Sequence, residues 1–235
     1  MLQAIELSKH YGDHVALDCL NLTVDPGELF CLLGGNGAGK STTIKLFMDF
    51  VSATSGSALV DGIDVAKQPS LARSHLAYIP EIVNLYPYLT GLENLKFFTE
   101  LTGREFSRDE LELLLAQVTL PMDAIRKPVR SYSKGMRQKV GIAIAIAKQA
   151  KALLLDEPTS GLDPAAANQF SEILLQLRSQ GMAILMATHD LFRARDLADR
   201  IGVMAEGSMV EVVSGNEVSH QELEELYLRV FHAAR

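Results

Sequence analysis

Residues 34–42 are Gly34, Gly35, Asn36, Gly37, Ala38, Gly39, Lys40, Ser41 and Thr42, a run that satisfies the spacing G-x-x-x-x-G-K-[ST]. Glycine admits positive φ and close backbone approach, so successive N–H groups along such a run can turn toward one anion. Lys40 supplies a charge for β- and γ-phosphate oxygens, and the Ser41 hydroxyl is a hard ligand for Mg2+. The apolar stretch 29–33 just before the run reads as a buried strand. A helix is expected to start near Gly39 with Ile44, Phe47 and Met48 on its core face, which sets a positive dipole end beneath the phosphates. The chemistry implied is the binding of a nucleoside triphosphate with Mg2+. A Gly-rich turn between a strand and a helix satisfies the same spacing, and only the rest of the chain separates the two readings.

Three further polar features follow apolar, strand-like stretches: Glu81 after 76–79, Asp156 and Glu157 after 152–155, and His189 after 183–188. In an open parallel sheet ligands bind outside the carboxyl ends of the strands, so these residues and the Gly-rich run are expected to share one site. Asp156 and Glu157 are adjacent, and neighbours on a strand face opposite ways unless the strand has ended, so the two acids need different roles. Asp156 suits the Mg2+ shell, and Glu157 suits a base that deprotonates water in line with a γ-phosphate. Acids that merely cap the next helix are the plainer alternative.

The elements that must position these residues follow from patterning. Alternation at Ala4, Ile5 and Leu7, then at Val15, Leu17, Leu20, Leu22 and Val24, predicts two strands around a turn at 11–13, and 58–60 predicts another ending at Asp61-Gly62. These are expected to form an antiparallel layer within residues 1–84, beside the nucleotide core. Residues 85–150 read as a helical subdomain, with capping boxes at Thr90 to Glu93 and Ser107 to Glu110, the second leading into Leu111, Leu114, Leu115 and Val118. Residues 151–213 return to strand, helix opened by Asp163-Pro164, and strand, hence a parallel sheet; residues 214–235 end on a capped helix with Leu223, Leu226, Tyr227 and Val230 on one face. The fold class is α/β: a phosphate-loop core on a mainly parallel sheet, with an antiparallel β layer and a helical subdomain, in one domain spanning 1–235.

Bulk properties agree with that size of core and exclude other classes. A 235-residue chain buries a core without staples. Cys19 and Cys31 lie in strand-like runs without C-x-x-C spacing, and are expected to be small buried hydrophobes of a reducing compartment. A formal charge of −7 argues against nucleic acid as a partner over the whole surface. The start, Met1 to Glu6, has neither the basic flank nor the apolar core of a signal peptide, and no apolar stretch nears the ~20 residues that cross a bilayer. A cytoplasmic location is expected.

Across nearly its whole length the chain resembles the nucleotide-binding domain of ATP-binding-cassette (ABC) transporters. The stretch Tyr132-Ser133-Lys134-Gly135-Met136 is similar to that family's signature, usually Leu-Ser-Gly-Gly-Gln; Ser133 and Gly135 match, and Tyr132, Lys134 and Met136 depart. Ser133 is also a good N-cap, and a helix start with a hydroxyl and free N–H groups is an anion site. The resemblance implies ATP and Mg2+ as cofactors, hydrolysis of ATP, and a head-to-tail dimer in which the signature of one copy meets ATP on the phosphate loop of the other, since the chain carries one of each. Within that resemblance Tyr11 stacks on adenine, although a turn tyrosine packed on the sheet is the alternative, and His189 contacts the γ-phosphate. Ser160-Gly161-Leu162-Asp163 is similar to the loop that crosses the dimer interface, while Asp163 before Pro164 is equally an N-cap. Glu81 stands where the family usually has glutamine touching Mg2+ or the attacking water; a carboxylate still ligates Mg2+. Glu81, residues 85–90, the signature stretch and the tail 223–228 together resemble the branch serving drug, antibiotic and sodium exporters, which implies a separate integral membrane subunit and a peripheral position on the cytoplasmic face. Two other readings share the phosphate loop: an ABC-type ATPase acting on ribosomal, DNA or cofactor-assembly complexes, and a small-molecule kinase.

Overall fold

A computed structural model describes residues 1–233, with side chains described through residue 231. In chain order the first strands are β1 (Leu2–Tyr11), β2 (His14–Val24) and β3 (Leu29–Leu33), followed by helix α1 (Lys40–Phe47), β4 (Ser55–Val60), β5 (Ile63–Asp64), α2 (Pro69–Ser74) and β6 (Leu76–Ile79). Three helices come next: α3 (Gly91–Glu100), α4 (Arg108–Gln117) and α5 (Lys134–Lys148). The chain then runs through β7 (Ala152–Asp156), α6 (Pro164–Ser179), β8 (Ala183–Thr188), α7 (Leu191–Leu197), β9 (Arg200–Ala205), β10 (Ser208–Ser214) and α8 (His220–Ala233).

Two sheets result, one ordered β2-β1-β4-β5 and one ordered β10-β9-β3-β8-β7-β6. The first is antiparallel throughout. In the second, β3 pairs parallel with both β8 and β9, and β7 pairs parallel with β8 and β6. The central strands are continuous apolar runs because both faces of this sheet are covered. Along β3, Phe30 and Leu32 enter one core with Leu7, Leu17, Ile44 and Phe47, beneath the antiparallel sheet and α1. Leu29, Cys31 and Leu33 enter the other, with Val140, Phe170, Leu174 and Leu223 from α5, α6 and α8. The period-2 geometry of a strand thus divides one five-residue run between two cores.

The helices start where their caps dictate. Thr90 and Glu93, and Ser107 and Glu110, form reciprocal capping boxes, and Ser219 and Glu222 exchange the same pair of bonds ahead of α8. Asp163 caps α6 by accepting from the Ala166 N–H.

Several expectations are corrected. Cys31 is buried, but Cys19 is exposed, because β1 and β2 shift register between Leu7 and Lys9 and Cys19 itself takes φ 46°. The bulge turns Asp18 and Cys19 outward together, so alternation fails locally. Ile5 and Val15, at 48% and 41% exposure, also lie outside the core. Met48, the half-buried C-cap of α1, packs against the core from its edge, and Leu46 joins Ile44 and Phe47 as a buried residue of that helix. Sequence patterning did not anticipate the hairpin β9–β10, which widens the sheet beyond β3 around a turn at Glu206 and Gly207, both at positive φ.

Candidate active site

The register of the parallel strands brings four carboxyl ends to one edge: Leu33 pairs with Thr188, Asp156 with Ala187, and Ile79 with Leu155. The 34–42 loop, His189, Glu157 and Glu81 all emerge there. The loop is seated so tightly that side chains are excluded at two points. A Cβ on Gly34 would stand 2.5 Å from the Met204 carbonyl oxygen, and Gly39, at φ 103°, caps α1 where a Cβ would meet the Ala16 carbonyl at 2.9 Å. Glycine at these positions lets backbone N–H groups and the start of α1 face one small volume.

Lys40 lies within that volume, its side chain 7% exposed. Its Nζ donates to the Gly34 and Gly35 carbonyls at 2.6 and 3.0 Å and stands 3.9 Å from Glu157 Oε1. Burial pushes the Lys40 pKa below the usual lysine range, against the opposing pull of Glu157 and Asp156. Ser41 Oγ donates to Asp156 Oδ1 at 3.1 Å. Burial raises the Asp156 pKa, and the Ser41 hydrogen bond works the other way.

Asp156 ends β7, whereas Glu157 takes φ 46° and leaves the strand. That single left-handed residue sends the two acids to different partners. Glu157 Oε1 lies 2.9 Å from His189 Nδ1, Oε2 accepts from Thr188 Oγ1 at 3.2 Å, and the Glu157 N–H donates to the Ala187 carbonyl at 2.9 Å. Glu157 is thus held by three groups of the adjacent strand end, with the Lys40 ammonium on its other side. Thr188 was not singled out in the sequence; a hydroxyl closing the apolar run 183–187 was its only signal.

The structure therefore brings together Lys40, Ser41, Asp156, Glu157 and His189. Glu81, at the same edge, bonds instead to Lys134 and Ser160. Tyr11 sits at the β1–β2 turn, 45% exposed, with Lys9 Nζ 4.8 Å from its ring centroid. Ser133 is exposed and caps α5, accepting from the Met136 N–H at 3.2 Å. Gly135 lies where a Cβ would touch Ala166 and Leu162 at 3.4 and 3.6 Å.

A family model described as "ABC transporter" matches residues 17–160, which include the phosphate loop, Glu81, the signature stretch and the Asp156-Glu157 pair. The chain belongs to the ABC transporter family. This ABC cassette is 36% identical over 232 residues to the lantibiotic transport ATP-binding protein SrtF of Streptococcus pyogenes, covering 97% of this chain and 96% of the relative. The bacitracin transport ATP-binding protein BcrA of Enterococcus faecalis is 35% identical, covering 93% of this chain and 70% of the relative. A solved ATP-binding subunit of an ABC transporter superimposes with a TM-score of 0.85 at 32% identity, over 98% of this chain and 99% of that one. A dimeric cassette in a post-hydrolysis state, bound to ADP and Pi, gives 0.80 at 25% identity, over 91% and 98%. This chain is an ATP-binding ABC ATPase of that family, and among the described residues no helix is long and apolar enough to cross a membrane.

The donor set fits a Mg2+-nucleotide. Ser41 Oγ and Asp156 Oδ1 are hard oxygen donors 3.1 Å apart. Mg2+ is ordinarily held by one or two carboxylates together with substrate phosphates and waters, so the cassette has to supply no more than this.

Proposed function

We propose that this cassette hydrolyses MgATP as one half of a head-to-tail dimer and powers export through a separate integral membrane subunit, at the cytoplasmic face. The observation that carries the hydrolytic part is the arrangement around Glu157, whose Oε1 faces both Lys40 and His189 while Ser41 and Asp156 pair separately beside it. Lys40 and the loop N–H groups of Gly35, Asn36, Gly37, Ala38, Gly39, Ser41 and Thr42 cradle the phosphates. Ser41 and Asp156 would hold Mg2+, which would supply charge neutralisation for the phosphoryl oxygens, while Glu81 at the same edge is engaged by Lys134 and Ser160. Glu157 takes a proton from water as the water oxygen attacks the γ-phosphorus and the bond from that phosphorus to the β,γ-bridging oxygen breaks, releasing ADP and inorganic phosphate; His189 holds the γ-phosphate and orients Glu157. A triphosphate in the loop competes with Glu157 for Lys40 and His189, which frees the carboxylate to act. Tyr11 stacks on adenine from the β1–β2 turn. Ser133 and Gly135 of the partner copy seal the γ-phosphate.

Export is supported by the lantibiotic and bacitracin transport relatives, and a membrane partner by the surface beside Glu81. There Ile82, Tyr86 and Tyr88 are exposed by 62%, 49% and 79%, a density of large apolar side chains that marks an interaction site. Tyr86 packs against Phe97 and Phe98 at ring-centroid distances of 4.9 and 6.1 Å, which ties the patch to α3. The test is purification of the tagged chain from gently solubilised membranes with MgATP. An integral membrane protein in stoichiometric amount, and a dimer on adding MgATP to the Glu157→Gln form, are the expected results. Co-sedimentation with ribosomes and no membrane partner would overturn the transport reading.

Asp156 provides a separate check. Its pKa is raised by burial, so its ionised form costs the fold stability at any pH above the ordinary aspartate range. Asp156→Asn keeps an oxygen for Ser41 and removes that cost. The free protein is expected to melt about 1–3 °C higher, while the rise in melting temperature on adding MgATP largely disappears. Melting curves with and without MgATP decide it; an undiminished MgATP shift would remove Asp156 from the metal site.

A further inference from the structure

Glu81 lies in the bend after β6, and its Oε1 is where two other segments meet. Lys134 Nζ, on the first residue of α5, is 3.4 Å away. Ser160 Oγ, in the turn after β7, donates to the same oxygen at 3.2 Å. These partners are 53 and 79 positions distant in sequence, so no local turn geometry imposes the contact. The same start of α5 is seated on the segment after β7 by two neutral contacts: Gln138 Nε2 donates to the Pro158 carbonyl, and Gly135 packs beside Leu162 and Ala166.

Both charged members stand where the family resemblance leads one to expect neutral residues, glutamine at 81 and glycine at 134. The two departures cancel. A carboxylate alone at the carboxyl end of β6 would face the triphosphate edge of the sheet with a full negative charge, and a lysine alone at the first turn of α5 would oppose that helix's positive dipole end. Paired, each offsets the other. The side chains are 50% and 29% exposed, so the pair adds little to the stability of the fold.

We propose that, in the ATP-hydrolysing cassette as read above, Glu81 and Lys134 form a charge-compensated latch, with Lys134 as a positioning residue. It ties the Ser133-capped start of α5 to the core at the Ser160 turn and shields the triphosphate from the Glu81 carboxylate. The defect caused by losing Lys134 therefore depends on Glu81 being charged.

The test is a double-mutant cycle on the full chain with Lys134→Met, Glu81→Gln and the double variant, reading MgATP KM and kcat together with equilibrium binding of MgATP by titration. Lys134→Met is expected to raise KM and the dissociation constant about two- to fivefold, with less change in kcat. Adding Glu81→Gln should return both to within about twofold of the parent, and Lys134→Arg should retain parent behaviour because the ion pair survives. The Lys134→Met defect should also shrink at high salt. If the two single effects simply multiply, Glu81 and Lys134 act independently and the latch is overturned, including the case in which Glu81 serves only as a metal ligand. If the parent chain neither binds nor hydrolyses MgATP, the ATPase reading fails first and takes the latch with it.

Discussion

Replacing Glu157 by glutamine is expected to lower kcat for ATP by about 10²–10⁴-fold, the range that a positioned general base contributes, while MgATP binds as well as before or better. Glutamine keeps the size of the side chain and can still accept from Thr188 Oγ1, which lies 3.2 Å from Glu157 Oε2. It cannot take the proton of an attacking water. It also removes the negative charge that Lys40 and His189 now face at 3.9 and 2.9 Å, so both side chains become more available to phosphate. Binding without turnover leaves the bound state standing, and the doubly sealed dimer should accumulate on adding MgATP, measured by light scattering alongside steady-state hydrolysis. A kcat within threefold of the parent would take the role of base away from Glu157 and leave His189 to be tested for it.

Much of this site was legible because its parts are contiguous or lie at strand ends. The phosphate loop is one uninterrupted run from Gly34 to Thr42, so its meaning needs no tertiary information. Continuous apolar runs at 29–33, 152–155 and 183–187 read as strands because burial on both faces suppresses polar alternation, and helix starts at Thr90, Ser107, Asp163 and Ser219 read from their own caps. What was illegible depends on which strands become neighbours. The contact between Glu157 and His189 exists because β7 lies beside β8, and the strand order of a sheet is not a local property. Hairpin β9–β10 begins with Arg200, whose head group is held by Glu28, 172 positions earlier, so its first residue carries no strand signal. Cys19 was misread for a different reason: a bulge adds one residue to the count, and a pattern of strict alternation then assigns the wrong face. Glu81 was recognisable as a departure, but its partner Lys134 lies 53 positions on, on a different element.

Lys40→Ala is expected to weaken MgATP binding by about 10–100-fold or more, on the scale of 1.5–3 kcal/mol for hydrogen bonds to charged groups, with a much smaller change in the stability of the free protein. The asymmetry follows from its surroundings. Burial already makes the Lys40 ammonium costly, as its lowered pKa records, and alanine relieves that cost while leaving the Gly34 and Gly35 carbonyls without their donor. In the bound state nothing replaces the lost charge, and Glu157 then faces the triphosphate unopposed. Lys40→Arg should not rescue binding fully, because a planar fork cannot take the place of a compact ammonium at 2.6 and 3.0 Å from two loop carbonyls. The pH dependence gives a second readout with a fixed sign. Phosphate favours the charged lysine, so binding draws a proton once the pH exceeds the lowered pKa of free Lys40, and parent affinity should fall as pH rises through that point toward the ordinary lysine range near pH 10.4. In Lys40→Ala that fall should vanish. Titrations with MgATP across the alkaline range measure both effects; an alanine variant with parent-like affinity, or one whose affinity still declines with pH as the parent's does, would show that the ammonium of Lys40 does not hold the phosphates.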